Sequence, residues 1–144
     1  MTDAGAPEPG EDGAVFRVRK WVKPEDINQL GTLFGGSLLR WIDEEAAIVA
    51  IYQLGRLRLV TKFVSEIDFV HTAHTGDLIE LAFRVVAFGR TSLTLRCDAT
   101  NVFTGDVIVE ISRIVFVSVD EEGRATPHGR ASVALGRERI PVRR

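Results

Sequence analysis

Apolar and polar residues divide the chain into short alternating runs and one long helical run. From Ala14 to Val22, the apolar Val15, Phe16, Val18 and Trp21 interleave with Arg17, Arg19 and Lys20, the rhythm of a short strand, which Pro24 ends. Pro24 to Gly36 holds Asp26, Asn28, Gly31, Gly35 and Gly36 and reads as a structured loop leading into a helix. Gly36 to Leu54 contains no proline, is rich in good helix formers and is followed at once by Gly55, so a helix is predicted there. Four strand-like runs follow, Arg58 to Phe69, Leu78 to Phe88, Ser92 to Val102 and Val107 to Val119. Turn chemistry at Thr75-Gly76-Asp77, Gly89 and Thr104-Gly105-Asp106 separates the four, and Glu121-Glu122-Gly123 closes the run. The two Thr-Gly-Asp triplets have unlike surroundings, so they are turns and not a duplication. Strand, loop, helix and four meandering strands predict an α+β domain, one long helix wrapped by an antiparallel sheet.

The helix carries the first candidate for chemistry. At 100° per residue, Gly36, Leu39, Ala47, Ala50 and Leu54 lie within about 40° of Asp43, which places a carboxylate in a stripe of apolar and small residues. Such a group must be paired, solvated or used, and exclusion of water would turn it into a base for near-neutral pH. Glu44, one turn beyond Arg40, reads instead as an ordinary helix-surface pair. Leu38, Trp41, Ile48 and Val49 make the helix apolar nearly all round, so other structure is expected to wrap it. The Gly35-Gly36 pair at its start would let a ligand approach the backbone, where unpaired N–H groups polarise a carbonyl oxygen. A carboxylate base and an electrophile-activating helix end are more informative together than either alone.

Composition narrows the classes. The chain has 144 residues, 45% hydrophobic and 26% charged, which suits one domain with a real core and leaves no length for two. A net charge of −2 supplies no field for nucleic acid or an anionic membrane, so neither is expected as a partner. The apolar stretch around Ile42 to Ile51 is broken by Asp43, Glu44 and Glu45 and is too short to span a bilayer. Residues 1–13 are acidic, with Gly and Pro and nothing to bury. They are expected to be a disordered lead-in and lack the features of a secretion signal. With Cys97 alone there is no internal disulfide, and a reducing cytoplasm is the expected location. Cys97 itself falls in a strand pattern, as a buried apolar residue would. His71 and His74, even with His128, lack metal-ligand spacing, so no metal or other cofactor is expected. Serine-elbow, phosphate-loop and dinucleotide motifs are missing from the sequence. Residues 130–144 form a basic tail, where Arg130, Arg137, Arg139, Arg143 and Arg144 face only Glu138; it reads as a solvated face or as a contact for phosphates.

The segment VKPEDINQLGTLFGGSLLRWIDEEAAIVA, from Val22 to Ala50, followed by GD, GRTSL and FVSVDEEGRATPHG, resembles the hotdog-fold acyl-CoA thioesterases of the acyl-CoA hydrolase branch. The likeness runs from Val15 to Gly129, and its most specific part is the Asp-x-Asn loop, the G-x-x-F-G-G turn and the helix aspartate. It implies a hotdog domain over residues 14–129, with five or six strands around the central helix. Two subunits would pair into one continuous sheet, and three such dimers into a hexamer. The implied reaction converts acyl-coenzyme A and water to a free acid and coenzyme A. The implied catalytic pair is Asn28 and Asp43, from different subunits, with Asp43 as general base or nucleophile and Asn28 orienting the water or the carbonyl. The backbone at Gly35 or Gly36 would hold the thioester oxygen, and Arg90, Thr91 and Ser92 would lie near the pantetheine arm. The chain departs from the family where relatives often have a basic residue followed by proline, because here His71 is followed by Thr72. Two further readings share the fold: a non-catalytic acyl-CoA-binding module, and a hydratase or dehydratase of acyl thioesters, which would pair a carboxylate with a histidine. In a third, Asp43 is only an interface residue.

Overall fold

The computed structural model describes residues 13–143, so the lead-in expected over residues 1–13 lies, except for Gly13, outside the described residues. In chain order the elements are β1 (Phe16–Trp21), a short 3-10 turn (Pro24–Asp26), α1 (Gly35–Leu54), β2 (Leu59–Val64), β3 (Leu78–Phe88), β4 (Ser92–Asn101) and β5 (Val107–Ser118). The strands form one five-stranded antiparallel sheet in the order β1-β3-β4-β5-β2, with α1 against one face. The central strands β3 and β4 alternate strictly. Ile79, Leu81, Phe83 and Val85 of β3 and Leu93, Leu95, Cys97 and Ala99 of β4 are buried against the helix. The opposite face is charged, with Arg19 and Arg17 on Glu80 and Arg84 and Arg96 on Asp98. No described helix is long and apolar enough to cross a membrane.

Helix α1 begins one residue earlier than the sequence predicts. Phe34 takes the cap position with extended backbone and makes no side-chain cap, so the first N–H groups of the helix lack a side-chain acceptor there. It ends at Gly55, whose φ of 69° is left-handed and whose N–H closes on the Ile51 carbonyl at 2.8 Å. The face on the sheet is Leu38, Ile42, Ala46, Ala50, Gln53 and Leu54. The sheet wraps this side of the helix, as expected, and Ile48 on another side remains 45% exposed in the single chain.

Two further differences matter for function. Strand β2 stops at Val64, short of the expected Phe69, and its pairing with β5 slips between Thr61 and Phe63, the signature of a bulge. Beyond it, residues 65–70 follow β5 loosely, through Ser65 N–H to the Arg113 carbonyl and Val70 N–H to the Ile108 carbonyl. The chain after Gly129 is not simply a solvated tail. It returns to the end of α1, where the buried Gln53 side chain donates to the Ala134 carbonyl at 2.9 Å and accepts from the Ala134 N–H at 2.8 Å. Arg139 donates to the Gln53 and Ser132 carbonyls, and Arg130 reaches the Leu54 carbonyl. Guanidinium groups on the last carbonyls of a helix meet the negative end of its dipole, which explains why these arginines dock.

Candidate active site

The two sides of α1 next to β2 and its continuation carry two separate cavities. The first, about 550 Å³, is lined by Gly36, Leu39, Arg40, Ile42 and Asp43 of the helix, with Thr61, Val64, Ile67, Ile111 and Ile114 across from them. Its wall is aliphatic apart from Arg40, Asp43 and Thr61. Asp43 is exposed at this rim and not buried, which corrects the reading of its stripe: only Ala50 and Leu54 of that set are buried, whereas Leu39 and Ala47 are half-buried. The hydroxyl of Thr61 donates to Asp43 Oδ1 at 2.8 Å. The β2 bulge next to Thr61 aims its hydroxyl at the helix, and no motif in the sequence marks it. Arg40, as expected, pairs with Glu44 at 2.9 Å on the helix surface.

The second cavity, about 220 Å³, is lined by Asn28, Thr32, Leu33, Gly35, Leu38 and Phe69 with His71, Thr72, Ala73 and Ile108. Asn28 organises its own loop. Its Oδ1 accepts from the N–H groups of Leu30 (2.9 Å) and Thr32 (3.1 Å), and its Nδ2 stands 2.9 Å from Thr32 Oγ1. The carbonyl end of the side chain is thus occupied, and what Asn28 has left to offer is an amide N–H. Asn28 is therefore a donor, suited to a carbonyl oxygen and unable to take a proton from water. Gly35 lines the same cavity, and its missing side chain matters, because a β-carbon there would lie 3.2 Å from the Phe69 ring. Asn28 and Gly35, the first residue of α1, thus border the same small space.

Asn28 and Asp43 do not meet within one chain. Nor does the helix start serve Asp43 directly, since Gly36 and Asp43 are seven residues apart, about 10 Å along the axis. Arg90, Thr91 and Ser92 form the β3–β4 hairpin and line neither cavity. Their backbone carbonyls hold His128 and the end of β5: Ser92 takes the His128 ring at 2.8 Å and Thr91 takes the Ser118 N–H at 2.8 Å. His74 sits in the turn before β3, its backbone N–H on Asp77, so the three histidines are scattered. Among the described residues no group of three or more metal-ligating side chains converges. Cys97 is buried in β4, and desolvation pushes its thiol far above the ordinary range, as an inert core residue. A larger groove between α1 and β1, about 640 Å³, is lined by Arg19, Lys20, Lys23 and Arg40 among others. Its cations are paired: Arg19 with Glu80, Lys20 with Glu45, Lys23 with Glu25 and Arg40 with Glu44.

The thioesterase superfamily model matches residues 30–107, more than half of the chain. The chain belongs to the thioesterase superfamily. Among curated members, an uncharacterized acyl-CoA thioester hydrolase of Zymomonas mobilis is 29% identical over 127 residues, 86% of this chain and 85% of its own. Among solved superfamily structures, an apo-hexameric acyl-CoA thioesterase is 37% identical at a TM-score of 0.68, covering 78% of this chain and 74% of its own. A Staphylococcus aureus acyl-CoA hydrolase, solved with butyryl coenzyme A, coenzyme A and coenzyme A disulfide, is 28% identical at a TM-score of 0.69, with 83% and 70% covered. Variants of that enzyme with an aspartate, an asparagine or a threonine replaced by alanine have the same overall structure as this chain, at TM-scores of 0.65, 0.66 and 0.67. The neighbours share one architecture, the hotdog fold, and it is the fold of this chain, with five strands where five or six were expected.

Proposed function

We propose that this protein hydrolyses the thioester bond of acyl-coenzyme A, releasing a carboxylic acid and coenzyme A, at sites assembled from two chains. One chain supplies Asp43 and Thr61, and the other supplies Asn28 and the backbone N–H at Gly35. The observation that carries this reading is the separation of the groups. One chain has a carboxylate at the rim of an aliphatic groove and, in a different cavity whose lining holds no carboxylate, donors for a carbonyl oxygen; a second copy brings the carboxylate to those donors. The larger cavity lies beside strand β2 and the smaller beside residues 69–73 that follow it; β2 is a sheet edge that pairs on one side only and leaves Val60, Phe63 and Val64 exposed. An apolar edge strand of that kind is a ready surface for a second copy. The asparagine, aspartate and threonine singled out here are the residue types replaced in the S. aureus enzyme.

In this mechanism Asp43, held by Thr61, takes a proton from water while the water oxygen adds to the thioester carbon. Charge building on the carbonyl oxygen is met by Asn28 Nδ2–H and the helix-start N–H. No metal is needed, because thiolate is a good leaving group and the carbonyl is already polarised. The groove lined by Leu39, Ile42, Val64, Ile67, Ile111 and Ile114 takes the acyl chain. The deciding experiment is thiol release from a panel of acyl-CoA esters by the wild type, Asp43→Ala and Asn28→Ala. Release that drops about a hundredfold or more in both variants supports the reading. Acyl-CoA that binds without release would make the protein a binding module and Asp43 an interface residue. A hexamer built as a trimer of dimers is the expected assembly, with the cytoplasm as the expected location.

A further inference from the structure

His71 lies in the small cavity with Asn28 and Gly35, a position the sequence alone does not reveal. Its ring is pinned: Nδ1 stands 2.8 Å from the Val107 carbonyl oxygen, at the start of β5. A carbonyl can only accept, so Nδ1 carries the proton in that bond and the imidazole has Nε2 left to act. The remaining lining, Thr32, Leu33, Leu38, Phe69, Thr72, Ala73 and Ile108, contributes no charge, so His71 is the single ionisable side chain on this cavity.

Resting on the hydrolase reading above, we infer that His71 is a catalytic residue of the leaving-group half of the reaction: its protonated ring gives the Nε2 proton to the departing sulfur. The groups already assigned handle the other charges. Asp43 takes a proton from water, and Asn28 with the helix start holds the oxyanion; nothing among them answers the negative charge that grows on sulfur. In the tetrahedral adduct the C–S bond breaks with its electron pair going to sulfur, the Nε2 proton joins that pair to give the thiol, and the carbonyl re-forms as the acid. The proton on Asp43 and the vacancy on His71 then equilibrate through solvent, so the sum is one water consumed and one acid and one thiol formed.

The test separates a proton donor from a structural pin. In His71→Asn the side-chain amide can still donate to the Val107 carbonyl, but nothing replaces Nε2; His71→Gln reverses the two. Each variant and the wild type would be given the same acyl group on coenzyme A and on p-nitrothiophenol, whose thiolate leaves without a proton. The expected result is a loss of roughly tenfold in kcat on the coenzyme A ester for both variants, below the usual general-acid effect because thiolates leave readily, and nearly unchanged rates on the aryl thioester. Equal losses on both esters, or full activity of His71→Asn on the coenzyme A ester, would overturn the assignment while leaving the hydrolase intact. A wild type that cleaves neither ester would overturn the hydrolase reading itself, and this assignment with it.

Discussion

Asn28 is a side chain whose oxygen is committed to its own loop and whose amide keeps one N–H beyond the one given to Thr32 Oγ1, and that division predicts what its replacement does. Asn28→Asp keeps an oxygen for the Leu30 and Thr32 N–H groups, so the loop should survive. It deletes the Nδ2–H donor, and kcat for acyl-CoA hydrolysis should fall about 10²–10³-fold, the loss typical of one oxyanion donor, with the urea midpoint little changed. Thr61→Val removes the 2.8 Å bond that holds Asp43 Oδ1 and should lower kcat by roughly tenfold at an unchanged fold, checked by circular dichroism beside the assay. Residue patterns made these positions unequally legible. Asp43 stood out because a carboxylate inside an apolar stripe is anomalous, although it lies exposed at a cavity rim. Asn28 came from the family resemblance. Thr61 came from neither, since a threonine in a strand is ordinary and only the bulge gives it a partner on the helix.

Helix and strands were readable because their periods differ. Alternation located β3 and β4 closely, and Gly55 marked the helix end. Edge strand β2 was overrun by five residues, because its apolar composition continues to Phe69 while its pairing does not. The end of α1 was illegible for a different cause: its partners lie some eighty positions away, and arginine-rich sequence looks solvated whether or not it docks. Two outcomes test this element. Gly55→Ala puts a β-carbon at a φ of 69° and 2.5 Å from the Arg139 carbonyl oxygen. It should cost about 1–3 kcal/mol, read as a lower urea midpoint. In β4, burial holds the Cys97 proton on in the folded state, while an unfolded thiol ionises near pH 8.5. A folded value raised above the unfolded one contributes fully below about pH 8.5 and is lost as pH rises past it. Unfolding free energy from urea titrations should therefore fall above that pH in the wild type and less so in Cys97→Ala.

For the assembled molecule, the separate cavities of one chain turn into a test by mixing. Asp43→Ala and Asn28→Ala proteins, each inactive alone, should regain about one quarter of wild-type activity when unfolded together and refolded, since random pairing makes half the dimers mixed and each of those holds one intact site. Recovery at background level would mean that both residues serve the same chain. A further consequence follows from Gln53. Its amide faces Ala134 as one peptide group faces another across a sheet, giving and taking one hydrogen bond apiece. Recognition of that form reads backbone and ignores the identity of most neighbouring side chains. In a saturation library, position 53 should accept almost nothing, glutamate included, whereas Leu135, 77% exposed one residue beyond the contact, should accept nearly any replacement.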